Sequence, residues 1–264
     1  MKNSREDQTT GRQGNVSPGL PVITLLTDFG TADYYVGAVK GAILSVNPAA
    51  VVVDITHEIP PQDVAEGAFT LLAAYQTFPL GTVHVAVVDP GVGSTRRPII
   101  VSAGEQFFVG PDNGLFTYIY DQEPSNRIVH VTEDRFFRPE RSTTFHGRDI
   151  FAPVAAALST GIAVEEFGAE VNDPVRLPSL ETPPRIIHID RFGNCVTNIT
   201  RDRSPKEIVV KGTTISEFRQ FYGAGDEETL FVIWGSAGFL EISVNGGSAA
   251  QVLGVKRGDP VSFA

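Results

Sequence analysis

The feature that most constrains the fold is a change of rhythm along the chain. From Pro21 to about residue 160, short apolar runs alternate with longer stretches of helical period. Val22–Leu26, Val51–Ile55, Val83–Val88, Ile99–Ser102, Phe107–Gly110 and Ile128–Val131 read as strands, and Tyr34–Val46, Val64–Thr77, Leu115–Tyr120 and Arg148–Ser159 as helices. Strands that are apolar throughout and separated by helices bury both faces of a sheet. This predicts an α/β domain with a mostly parallel sheet over residues 21–175. Between Asn172 and Pro184 four prolines break the periodicity, which predicts a linker at 176–184. Beyond it Arg185–Ile189, Asn194–Ile199, Ile208–Val210, Leu230–Trp234, Phe239–Val244 and Pro260–Phe263 are short and strand-like, with one helix, Ser248–Leu253, closed by Gly254. Residues 185–264 are expected to form a small β-barrel or sandwich. Residues 1–20 are polar and are expected to be a disordered tail outside the fold.

Charge removes whole classes of function. The chain carries 21 Lys and Arg against 31 Asp and Glu, a net charge of −10, with no dense basic cluster. Nucleic acid is therefore excluded as an expected partner, because binding it requires a basic stripe to replace the counterions on phosphates. The longest apolar runs, such as Ala49–Val53 and Leu71–Tyr75, fall far short of the roughly 18 residues that span a bilayer. A soluble protein with no membrane partner is expected. A lone Cys195 and a start without an apolar core segment favour the cytoplasm over secretion, so the sequons at Asn15 and Asn198 read as chance.

In an open parallel sheet, ligands bind beyond the carboxyl ends of the strands. Three such ends are polar: Thr27-Asp28-Phe29-Gly30, Thr56-His57-Glu58, and the Asp89–Arg97 run that contains Gly91-Val92-Gly93. A single Asp after a strand is usually a helix cap or a turn former. Three polar ends at one edge point to a ligand, and Asp28 is the best placed to hold a ribose diol through its two oxygens. Phosphate readings fail, because Arg96 stands where the third glycine of a dinucleotide loop belongs and no Walker lysine follows. The five histidines are at least sixteen residues apart and form no H-x-x-x-H or H-x-H pair, so no metal is expected. No G-x-S-x-G elbow is present, and Cys195 reads as a small core residue. His146 stands in a glycine-containing turn before a helix; alone, it reads as structural.

The motifs taken together say more. Thr27-Asp28-Phe29-Gly30, Asp54-Ile55-Thr56-His57, Asp63-Val64-Ala65-Glu66-Gly67-Ala68, Val88-Asp89-Pro90-Gly91-Val92-Gly93, Gly110-Pro111-Asp112-Asn113-Gly114-Leu115, Phe145-His146-Gly147-Arg148-Asp149, Asp190-Arg191-Phe192-Gly193-Asn194 and Leu240–Asn245 occur in this order. The pattern closely resembles the S-adenosylmethionine hydroxide adenosyltransferase family, adenosine-forming hydrolases related to fluorinase and chlorinase. Each motif alone is weak, and eight in order between Val22 and Phe263 are specific. The resemblance implies attack of water on C5′ of S-adenosylmethionine, releasing adenosine and methionine, with the substrate as the sole small molecule and no separate cofactor. It implies an Asp-Arg-His triad at Asp89, Arg96 and His146, with Arg97 beside the triad arginine. It places ribose on Asp28, the methionine end on Asp33, Asp190 and Ser236, and adenine on Asn194, Phe221, Asn245 and Gly246. It further implies an N-terminal α/β domain, a C-terminal β-barrel, and a homotrimer whose sites lie between the large domain of one subunit and the small domain of the next.

The chemistry is consistent with these assignments. A sulfonium is already a good leaving group, so the enzyme must supply in-line position and a better nucleophile than bulk water. A histidine of ordinary pKa near 6.5 can take the water's proton, or an Arg-Asp pair can hold the water and favour hydroxide character. Carboxylates near a cationic substrate chiefly lower KM, since the charge disperses in the transition state. Halogenating relatives surround a halide with small or hydroxylic residues, where this chain has Asp89, Val92 and His146, and a carboxylate repels halide. The insertion those relatives carry is absent between Phe108 and Asp149. Hydrolysis is thus favoured over the alternatives, a halide-dependent 5′-halogenase and a non-catalytic S-adenosylmethionine or adenosine-binding module; the intact triad argues against the latter. Ala237 stands where the halogenases have an arginine near the methionine carboxylate, which leaves the holder of that group open.

Overall fold

A computed structural model describes residues 20–181, 183–224 and 227–264. The expected tail thus lies, but for Leu20, outside the described residues, as does Asn15. The N-terminal elements are β1 (Val22–Thr27), α1 (Tyr35–Val46), β2 (Val51–Thr56), α2 (Val64–Ala74), β3 (Val83–Val87), β4 (Pro98–Ala103), β5 (Gln106–Pro111), α3 (Thr117–Gln122), β6 (Arg127–Val131), α4 (Ala152–Leu158) and β7 (Gly168–Glu170). The strands form one sheet in the order β2-β1-β3-β5-β4-β6-β7. Pairs β1–β2, β1–β3 and β3–β5 are parallel, while β4 is antiparallel to β5 and β6, and β7 to β6. Most strands therefore point one way, with β4 and β7 reversed. The reversal at β4 has a local cause: Gly104 and Glu105 both adopt positive φ, the two-residue turn that closes a tight hairpin.

Apolar layers cover both faces of the sheet. On one, α1 and α4 bury Val39, Ile43, Val154 and Leu158 against Ile23, Val85 and Val109, and every residue of α4 is buried. On the other, Phe69, Leu71, Tyr75, Leu115 and Phe116 from α2, α3 and their flanks meet Leu26, Val88 and Phe108, and Ile187 and Val196 from the C-terminal region join this layer. That sharing joins the two halves of the molecule.

The C-terminal elements are β8 (Ile186–Ile189), β9 (Cys195–Thr200), β10 (Ile208–Val210), β11 (Thr213–Ile215), β12 (Leu230–Trp234), β13 (Phe239–Val244), α5 (Ala249–Leu253) and β14 (Ser262–Phe263). They pair as two antiparallel sheets, β12-β13-β9-β8 and β11-β10-β14, around one core that includes Ile186, Cys195, Ile208, Val232, Ile242 and Val261. The pairing differs from one closed ladder: the sheets meet at an Arg185–Pro260 bridge, and strands of two or three residues are too short to carry hydrogen bonding round a barrel. Asn198 is 6% exposed. Its Nδ2 donates to the carbonyls of Pro183 (2.9 Å) and Leu180, and its Oδ1 accepts from the N–H of Arg185 (2.7 Å). This sequon asparagine pins the proline-rich segment to the small sheets. No helix among the described residues is long and apolar enough to cross a membrane.

Candidate active site

Two cavities carry the candidate residues. The first, of about 440 Å³, opens where β1 and β3 end and is lined by Asp28, Gln62, Asp89, Phe145 and His146 among others. Asp89 follows β3. His146 stands at the entry to a π-helical turn, Gly147–Phe151, that runs into α4, and the N–H of Ala152 reaches back five residues to the carbonyl of Gly147. Wide turns of this kind concentrate at functional sites because they re-aim one residue.

Arg96 joins the two. Its Nε and Nη2 donate to both oxygens of Asp89 (3.0 to 3.1 Å from Nε, 2.5 Å from Nη2), and Nη2 lies 2.7 Å from Nδ1 of His146. Its guanidinium also stacks on Phe151, 5.1 Å from the ring centroid. Asp89 and His146 line the cavity, whereas Arg96, with 9% of its side chain exposed, lies behind them. A guanidinium can only donate, so Nδ1 of His146 is the acceptor and the proton of the neutral ring is on Nε2. Burial, and then the positive charge of Arg96, holds the His146 pKa below the ordinary imidazole value.

Gly93 allows this approach. Its φ is +79°, and a Cβ there would lie 2.3 Å from the carbonyl oxygen of Thr143, so only glycine lets the Asp89–Arg97 loop meet the turn leading to His146. Arg97 turns the other way. Its Nε donates to Asp112 (2.8 Å) and its Nη1 to Asp173 (2.7 Å), which raises its pKa further and ties the loop to the segment before residue 176. The structure thus separates the two arginines that adjacency leaves equivalent.

Asp28 accepts at Oδ2 from the backbone N–H of Gln62 (2.8 Å), a non-glycine residue with φ +65°. The fully buried Asp149 was not among the expected site residues. It accepts from Nε of Arg148 (2.7 Å) and from the N–H of Ser142 (2.8 Å). Burial opposes its charge, yet these bonds hold it below the usual carboxylate range and draw the Ser142–Phe145 segment over the cavity.

The second cavity, of about 550 Å³, lies on the C-terminal region and is lined by Asp190, Phe192, Asn194, Tyr222, Gly246 and Ser248 among others. It shares no lining residue with the first. Asp190 accepts from the N–H groups of Phe192 (2.9 Å) and Asn194 (2.8 Å) and from the side chain of Asn194 (2.8 Å), so much of its capacity shapes its own turn. Gly193 is required in that turn, since a Cβ at its φ of +85° would strike Ser248. Tyr222 donates to the buried Glu241 (2.8 Å). Burial and that carboxylate push the phenol up to about 12, and burial raises Glu241 too.

Of the expected residues, Asp28, Asp89 and His146 therefore meet at the first cavity, with Arg96 behind, and Asp190, Asn194 and Gly246 at the second. Asp33 is exposed in the loop before α1 and Ser236 in the turn after β12, and neither lines these cavities. Phe221 is 62% exposed outside the second cavity, and its neighbour Tyr222 supplies the wall. Asn245 flanks Gly246 and pairs in a backbone bridge with Glu227. Among the described residues no group of three or more His, Cys, Asp and Glu is arranged to hold a metal.

Models of the SAM hydroxide adenosyltransferase N-terminal and C-terminal domains match residues 23–168 and 184–262. Relatives named (R)-S-adenosyl-L-methionine hydrolase occur in Methanocaldococcus jannaschii, 40% identical over 92% of this chain and 96% of its own, and in Thermus thermophilus, 40% identical over 90% and 98%. A fluorinase of Actinopolyspora mzabensis is more distant, 26% identical over 90% of this chain and 95% of its own. The crystal structure of an uncharacterized conserved protein from Thermotoga maritima superposes with a TM-score of 0.86 at 36% identity, covering 92% of this chain and 99% of that one. With both domain models matched in sequence and identity near 40% over nearly all its length, the chain belongs to the SAM hydroxide adenosyltransferase family.

Proposed function

We propose that this enzyme hydrolyses S-adenosyl-L-methionine to adenosine and L-methionine, and that it acts on the (R)-sulfonium epimer carried in its relatives' names. The observation that carries the reading is the convergence of Asp89 and His146 on one cavity through Arg96. Water attacks C5′, the C5′–S bond breaks with its electron pair going to the thioether sulfur of methionine, and the water gives up a proton. Arg96 occupies Nδ1 of His146, and burial beside a guanidinium disfavours a second ring proton. His146 therefore presents Nε2–H as a donor that orients the water oxygen. Asp89 is the acceptor for the water's proton, held in line by Arg96 from behind. Of the two water-activating roles, this geometry favours the Arg-Asp pair.

Asp28 is assigned to the ribose diol, with Asp190, Asn194, Asn245 and Gly246 completing recognition alongside Asp33, Phe221 and Ser236. Two domains, 21–175 and 185–264 with a linker at 176–184, would then build the site as a homotrimer, the small domain of one copy closing the cavity of the next. Exposed rings at both cavities, Tyr34 at the first and Phe192 at the second, support this closure. The buried lone thiol of Cys195 suits a reducing, cytoplasmic setting. The test is chromatography of adenosine released from each sulfonium epimer, with and without chloride or fluoride. Adenosine from the (R) epimer is expected; halogenated nucleoside, or retained ligand with no product, overturns the reading.

A further inference from the structure

We propose that Arg257, near the end of the chain and outside both cavities, is a positioning residue for Asp28; this rests on Asp28 holding the ribose. Helix α2 opens with Asp63 as its cap, Oδ1 accepting from the N–H of Glu66 (3.1 Å). A Glu at this place usually folds back onto the N–H of the cap residue. Here that N–H is bonded to the carbonyl of Pro60 (3.0 Å), and Glu66 instead reaches into the C-terminal region. One of its oxygens meets Nδ1 of His188 and the other accepts from Arg257 (2.6 Å), while the second guanidinium nitrogen binds Oδ2 of Asp63. Glu66 is only 8% exposed. One cation from the C-terminal region thus neutralises two carboxylates in the first turn of α2.

The residue before that turn is Gln62. A left-handed φ of +65° in a residue with a side chain is strained and persists only where neighbours impose it. It is this backbone that aims the Gln62 N–H at Asp28. Without the guanidinium, Asp63 and Glu66 repel each other within one turn, the cap loosens, and Gln62 is free to relax to negative φ. Its N–H then leaves Asp28, whose carboxylate swings away from the pose that meets the diol. Arg257 acts through Asp63 and Gln62 on substrate grip, with little effect on the step at C5′.

The test is a double-mutant cycle of Arg257→Gln with Asp28→Asn, read as KM for the sulfonium substrate, kcat, dissociation constant of adenosine, and Tm. Arg257→Gln is expected to raise KM and the adenosine dissociation constant about tenfold while kcat changes less than about threefold. Arg257→Lys, which reaches one carboxylate, should show roughly a threefold rise. In the Asp28→Asn background, Arg257→Gln should add nothing further. A lowered Tm with unchanged KM, or effects that multiply in the double variant, overturns the proposal. If Asp28→Asn itself leaves KM unchanged, it is the ribose assignment that fails. Should Arg257→Gln not fold, Arg257→Lys decides alone, with unchanged KM at lowered Tm counting against the coupling.

Discussion

The two cavities are built on opposite plans. In the first, charged groups are locked to one another: Asp89 to Arg96, Arg96 to His146, Asp149 to Arg148. In the second, the polar groups mostly shape their own turn, as Asp190 does, and the surface offered to a ligand is aromatic, with Phe192 73% and Tyr222 45% exposed. Under the proposed function the difference follows from what each would have to do. A reacting water needs donors and acceptors fixed before it arrives, because reorganisation during the step costs rate. A nucleoside base needs a flat apolar face, which stacks with little angular demand. The comparison predicts that changes to the linked Asp89, Arg96 and His146 of the first cavity lower kcat, and that changes at the second cavity raise KM.

The largest expected effect is at Asp89. Asp89→Asn removes the acceptor and leaves the Arg96 charge unbalanced beside His146, so adenosine release should fall about a thousandfold, on the scale of losing one preorganised catalytic group. His146→Ala should cost about a hundredfold with folding intact, by single-turnover assay and circular dichroism. Unchanged rates in both variants would break the division between the cavities. At the second cavity, Phe192→Ala and Tyr222→Ala should each raise KM about tenfold with kcat nearly constant. A loss confined to kcat there would show that these rings serve the chemical step.

A pH profile sharpens the same contrast. His146 has its pKa lowered by burial and by Arg96, so the neutral ring that accepts from Arg96 is kept across the neutral range. Activity should fall only as pH drops through this lowered value, placing the acid limb of kcat/KM below the free-imidazole value of about 6.5. Stability follows the same sign: the unfolded chain binds this proton more readily, so the contribution is present above the unfolded pKa and is lost as pH falls. His146→Gln should remove that limb; a limb at or above the free-imidazole value, or one that survives in His146→Gln, would show that the limb does not report a depressed His146.

How far the residues announced this arrangement differs between the halves. The apolar strands β1, β3 and β5 and the helices α1 and α4 are legible because burial on both faces imposes runs that few other structures tolerate. Strands β7 and β11 were missed, since three residues such as Gly168–Glu170 or Thr213–Ile215 carry no period to read. Asp28 is singled out by its strand end and Asp89 and His146 by the ordered motifs, and the structure brings all three to the first cavity. The contacts of Gln62, Asp149 and Arg257 are not legible in the string, because they rest on a left-handed backbone, a buried carboxylate and a partner 191 residues away in sequence. Phe221 and Tyr222 illustrate the limit of spacing: adjacent aromatics look alike in a string, and only the turn decides which ring faces the cavity.

Adjacent arginines give the smallest expected effect on turnover. Arg96 and Arg97 differ in what they hold, the first a cavity carboxylate and a histidine, the second Asp112 and Asp173. Asp112 is buried and also accepts from the N–H of Val175, so Arg97→Ala strands a carboxylate where water reaches it poorly. Breaking such a pair costs about 3 kcal/mol, which should appear as a Tm lower by several degrees. Adenosine release at a temperature where the variant is folded should nevertheless stay within about threefold of the parent, since no cavity group loses a partner. Arg96→Ala is its counterpart, with a loss of about a hundredfold in kcat. If Arg97→Ala instead matched that loss, the path from Asp112 to the Asp89 loop would itself govern the chemical step, and the separation of scaffold from cavity at this loop would not hold.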